Sequence, residues 1–161
     1  MLIRDRSNME KVMSITYADL VDKAKELDEL ANGRKNELCE KATLLLKEYR
    51  ESLGLPPESG GLAFIGEEEN GDVKRINILQ LDISEDYRLS FKIITNLSPD
   101  AHHKLYYKTS ITMWRDAGLK VSVEGRQVNI PGGISDGQFL DVCTSIKQSI
   151  VDGLEGMAPK G

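Results

Sequence analysis

Apolar residues at Leu20, Ala24, Leu27 and Ala31 recur at spacings of four, three and four, and Leu38, Ala42, Leu45 and Tyr49 repeat the rhythm eighteen residues later. Eighteen residues make five turns at 3.6 residues per turn, so both sets fall on one side of one straight helix. Thr16 stands where an N-cap belongs, with Asp19 three residues on as its capping-box partner. Gly54 supplies a C-terminal cap, and Pro56-Pro57 forbids continuation. The pattern predicts a single helix over 17–53. Asn32-Gly33 is a turn signal that would split it into a hairpin, but a hairpin need not keep phase and this stripe does. At 1.5 Å per residue the helix reaches roughly 57 Å, beyond the ~35 Å width of a compact domain of this size. Part of it must then project or pair. Leu27 and Leu38 are accordingly expected at a homodimer interface.

From Leu62 onward the period drops to two. Leu62-Ala63-Phe64-Ile65 reads as a first strand, ended by the acidic run Glu67-Glu68-Glu69 and the hairpin signal Asn70-Gly71. Val73 to Ile83 reads as a second strand, and Ile76 to Leu81, apolar on both faces, suits a central one. In the third, Tyr87, Leu89, Phe91 and Ile93 alternate with Arg88, Ser90 and Lys92. In the fourth, about Lys104 to Arg115, Leu105, Tyr107, Ile111 and Met113 share one face, and Tyr106, Lys108, Ser110, Thr112 and Trp114 share the other. Leu119, Val121 and Val123 alternate next, and Glu124-Gly125-Arg126-Gln127 turns into Val128-Asn129-Ile130. Asp136 is placed to cap a last helix bearing Phe139, Cys143, Ile146 and Ile150, closed by Gly153 and Gly156.

The expected fold is α+β: a long N-terminal helix, an antiparallel meander of about five or six strands, and a C-terminal helix. Residues 16–156 form one domain between a flexible arm, 1–15, and a flexible tail, 157–161. The helices cover one face of the sheet and the other face is wet.

Composition narrows the classes. With 40% hydrophobic and 29% charged residues among 161, the chain is ordinary for a globular protein. No run approaches the ~18 apolar residues of a membrane span, and the charged N-terminus lacks the apolar core of a secretory signal. A cytoplasmic protein is expected. The net charge of −5 hides an asymmetry, since residues 73–130 carry nine basic and six acidic side chains against ten and sixteen in residues 1–72. This balance argues against bulk affinity for nucleic acid while leaving room for a local basic face. Cys39 and Cys143 both fall on helices, where reduced core thiols are expected.

No motif assigns catalysis, a metal or a cofactor. His102 and His103 are adjacent, so on extended backbone they point opposite ways, and no further zinc ligands stand at a recognisable spacing. Glu67-Glu68-Glu69 with Asp72 lacks the alternating oxygen ligands of a calcium loop. Gly132-Gly133 lacks the Lys-Ser/Thr of a phosphate-binding loop. The most suggestive surface is the polar face of the fourth strand, where Tyr106, Lys108 and Trp114 line up beside Arg88 and Lys92 of the third. Interleaved aromatic and basic groups stack bases and hold phosphates, and they equally form protein hot spots. The reading is a non-enzymatic, protein-binding accessory protein acting as a dimer, a description that also fits secretion chaperones, toxin-immunity proteins and phage or plasmid accessory proteins. The alternatives are a nucleic-acid-binding module using that basic-aromatic face, and a small enzyme whose polar groups converge only in three dimensions.

Overall fold

The computed structural model describes residues 14–98, 100, 102, 104–132 and 137–159. Helix α1 runs unbroken from Tyr17 to Ser52 through Gly33. Its start is the capping box: the Thr16 amide donates to Asp19 Oδ2 at 2.9 Å and the Asp19 amide donates to Thr16 Oγ1 at 3.2 Å. Its end is a Schellman motif. Gly54 takes φ 72°, its amide donates to the Glu51 carbonyl, and the Leu55 amide reaches back to Arg50.

Six strands follow: β1 (Ala63–Glu69), β2 (Asp72–Arg75), β3 (Leu89–Asn96), β4 (Tyr106–Arg115), β5 (Leu119–Val123) and β6 (Arg126–Val128). They form one antiparallel sheet in the order β2-β1-β3-β4-β5-β6, and helix α2 (Leu140–Gly156) completes the α+β chain. Two hairpins have two-residue loops with both φ angles positive, Asn70-Gly71 and Glu124-Gly125. That geometry matches the right-handed twist of the strands they join.

Contacts divide the chain into two compact units, Met1–Arg34 and Lys35–Gly161. In the second, Leu38, Cys39, Ala42, Leu45 and Tyr49 of α1 and Phe139, Val142, Cys143, Ile146 and Ile150 at α2 pack against Leu89, Phe91, Ile93, Ile111, Met113, Val121 and Val123 of the sheet. Burial at Leu38, Ala42, Leu45 and Tyr49 follows the spacing of the stripe. Tyr49, fully buried, has its hydroxyl 2.8 Å from Thr95 Oγ1. In the first unit the same stripe is open: Leu20 is 59% exposed, Leu27 47% and the neighbouring Leu30 61%.

Several expectations are corrected. Leu38 belongs to the chain's own core and has no surface to offer a second copy. The second strand stops at Arg75 and lies at the sheet edge, not its centre. Asn77 ends it: its side chain accepts from the Leu79 amide and winds Ile78–Gln80 into a short 3-10 turn. Ile78, Leu81 and Ile83 then pack against the core from irregular backbone. Tyr87 is not in β3; it sits at φ 59° in a turn closed by Ser84 and Arg88. Leu105 precedes β4 and is exposed. Gly153 does not close α2, because the helix continues to Gly156 and the missing side chain admits Tyr107. The assignments for Asp136, His103, Gly133 and residues 1–13 lie outside the described residues. Among the described residues, no helix is long and apolar enough to cross a membrane.

Candidate functional site

Strand parity decides which side chains reach the face turned away from the helices. Ile111, Met113 and half-buried Tyr107 of β4 meet the core, so Tyr106, Lys108, Ser110, Thr112 and Trp114 are on the open face. The register sets their neighbours. Ser90 stands opposite Thr112, Lys92 opposite Ser110, Ile94 opposite Lys108, and Lys120 of β5 opposite Trp114.

Four of the five expected site residues separate into two groups. At one end of β4 the Arg88 guanidinium lies over the Trp114 ring at 4.3 Å, within cation–π range, and its Nε pairs with Asp86 at 3.0 Å. Ser84 Oγ holds Asp86 in turn, and this hydroxyl together with Arg88 keeps the carboxyl below its ordinary range. Both Trp114 and Arg88 are half-buried. At the other end Tyr106 meets Phe64 edge-to-face at 6.5 Å, and Lys108 is ion-paired with Glu68. Eight residues of strand, about 26 Å, separate Tyr106 from Trp114. Lys92 lies between the groups, exposed and facing Ser110.

The open face is also drier than expected near Tyr106. Ile94 is fully buried there and Phe64 nearly so. The sequence carries a signal for this, since Ile94 interrupts the clean alternation of β3. Glu68 was hidden for a different reason. The acidic run reads as a turn, yet β1 continues through it to Glu69, and parity then puts Phe64, Gly66 and Glu68 on one face.

Between the two groups β1 parts from β3 after the Gly66–Lys92 pair, leaving a cleft of about 520 Å³. Gly66 marks the parting: a Cβ there would come 2.6 Å from the Lys74 carbonyl oxygen. Glu68, Ser90, Lys92, Ser110 and Thr112 line the cleft. Its two closest hydroxyls, Ser90 Oγ and Thr112 Oγ1, lie 3.1 Å apart and bond to each other instead of to a general base. A nucleophile requires activation that this pair does not provide. The thiols are equally unsuited. Cys39 and Cys143 are free and buried, and burial pushes the Cys143 thiol up to about 11, leaving little thiolate near neutrality. Among the described residues, no three His, Cys, Asp or Glu side chains are grouped to hold a metal ion.

The face offers an aromatic–guanidinium pair, Trp114 with Arg88, and an aromatic pair, Phe64 with Tyr106, on the same strand face as the Lys108–Glu68 ion pair. No family model matches this chain, and no curated protein or solved structure matches it.

Proposed function

We propose that this chain is a non-enzymatic accessory protein that binds another protein through the open sheet face and acts as a homodimer. The Arg88–Trp114 stack carries the reading. Tryptophan and arginine are the residue types most enriched in interface hot spots, and here each is half-buried and oriented by neighbours, so little side-chain entropy remains to be lost on binding. Charge favours a protein partner over nucleic acid. Glu68 and Asp86 neutralise Lys108 and Arg88, two of the three cations expected to hold phosphates.

The dimer part rests on the open stripe of Leu20, Ala24, Leu27 and Ala31, whose 4-3-4 spacing is that of a coiled-coil seam. Leu27→Glu is expected to convert a particle of twice 17.9 kDa into one of 17.9 kDa in light scattering at micromolar concentration. A wild-type mass that stays at the lower value on concentration defeats the dimer.

For the partner surface, Trp114→Ala is expected to cost about 2 kcal/mol of binding or more, roughly thirtyfold in Kd. The melting temperature should barely move. The comparison is co-purification from the native host by wild-type and variant protein, with the retained partner then titrated against both. Binding that persists in high salt supports a protein anchor, whereas a steep loss with salt and sensitivity to nuclease favours the nucleic-acid alternative. A large fall in melting temperature would make Trp114 structural and remove the face from consideration.

A further inference from the structure

Where the β4–β5 hairpin meets α1 and the segment leading into α2, a cavity of about 480 Å³ is lined by cations and, among the described residues, by no carboxylate. Lys41 of α1, Arg115 at the end of β4 and Gln138, two residues before α2, line it together. Arg115 Nη2 pairs with Glu37, one turn before Lys41 on α1, so the guanidinium charge is compensated from outside the cavity. Lys41 forms no ion pair among the described residues. Lys120 also lines the cavity, but it stands opposite Trp114 and shares its parity, so its side chain belongs to the open sheet face.

Gln138 is only 8% exposed, yet its side-chain amide has no hydrogen-bond partner among the described residues. Enclosed amides are nearly always paired in folded proteins. Phe139 beside it is fully buried and anchors the backbone, which holds Gln138 at the cavity wall. An amide N–H, a guanidinium and an ammonium are all donors, and they match an anion with two oxygens. Because only the Lys41 charge is left uncompensated, the fitting anion carries a single charge. Leu119, Ile130 and Pro131 add apolar wall for an organic body, and the volume falls in the range of small-molecule sites, about 300–1,000 Å³.

We propose that Lys41, Arg115 and Gln138 form a binding site for a small organic monocarboxylate. The site is separate from the Arg88–Trp114 stack, and its failure leaves the protein-binding reading untouched.

The test is titration of the full-length chain with acetate, hexanoate and benzoate, followed by amide resonances in NMR, with sodium chloride at equal ionic strength as the reference. The pair of side-chain signals lost in Gln138→Leu identifies Gln138. A carboxylate that accepts from this amide should shift that pair, and the neutral analogues hexanamide and benzamide should bind at least about tenfold more weakly. Backbone signals of Ala117 and Gly118, which also line the cavity, report binding in the variants. Lys41→Met removes the charge and keeps the stem, and should weaken binding about tenfold or more. Gln138→Leu should weaken it to a similar extent while the ligand-free melting temperature holds or rises, since an apolar group replaces an enclosed, unpaired amide. A marked fall in that temperature would make the amide a structural group and overturn the proposal. Inorganic phosphate that binds more tightly than every carboxylate overturns the choice of ligand. If none of the three carboxylates shifts the Gln138 signals, or if Lys41→Met and Gln138→Leu bind them as wild type does, no such site exists.

Discussion

Tyr49→Ala is expected to destabilise the protein by about 3–5 kcal/mol, the range for deleting a fully buried aromatic ring. Tyr49 is the largest of the fully buried side chains, and it joins α1 to β3 both by packing and through Thr95. Tyr49→Phe separates the two contributions. It keeps the ring and leaves the Thr95 hydroxyl without its partner, a loss of about 1–3 kcal/mol. Urea unfolding should show both variants with a lower midpoint and an unchanged slope. Burial also raises the pKa of this phenol above its ordinary value of 10.0. The folded state therefore holds the proton more tightly than the unfolded chain does. The stability tied to it is complete below the ordinary value and declines as the pH rises from there through the raised one. Tyr49→Phe should flatten that alkaline decline. A cost below about 1 kcal/mol for Tyr49→Ala would mean that α1 does not dock on the sheet through this residue.

Gly153→Ala is the second large effect, and its sign is the informative part. Inside a helix this change ordinarily gains about 1 kcal/mol. At Gly153 the new methyl group would run into the Tyr107 hydroxyl and lie 2.6 Å from Cζ and 2.7 Å from Cε2 of the same ring. The ring cannot yield freely, because its hydroxyl donates to the Ser149 carbonyl at 3.1 Å. A net loss of about 1–3 kcal/mol is expected from overpacking. Gly33→Ala supplies the contrast, since nothing lies within 4 Å of that position and the ordinary gain in helicity should appear. In a Tyr107→Ala background the Gly153→Ala penalty should vanish, and a double-mutant cycle then reads the clash directly. If Gly153→Ala stabilises the wild type, α2 does not approach β4 this closely.

The two helices and most strands were legible because their signals are local. The stripe through Leu20 and Tyr49, the Thr16–Asp19 cap, Gly54 and the two hairpin turns each need only a few neighbouring residues to be recognised. Ile76–Leu81 was misread for the same reason: a short apolar run shows that a segment is buried without showing what backbone it adopts. The placement of Trp114 followed from parity within β4, which is again local. The partners of the site were not readable. Glu68 reaches Lys108 only because β1, β3 and β4 lie side by side in one particular register, and forty residues separate the pair in sequence. Likewise nothing near Lys41 in the chain announces Gln138.

The sheet ends in strands of four and three residues, β2 and β6. Each leaves only a few peptide groups facing outward, and β2 bears Asp72, Lys74 and Arg75 while β6 bears Arg126. A neighbouring molecule that tried to extend the sheet would gain too few backbone bonds to offset ordering its own strand, and would have to bury charge to make them. Edge-to-edge growth toward fibres is thereby discouraged at both rims. In the homodimer proposed above, contact between copies would fall to side chains, among them the open leucines of α1, and would not also seed a stack.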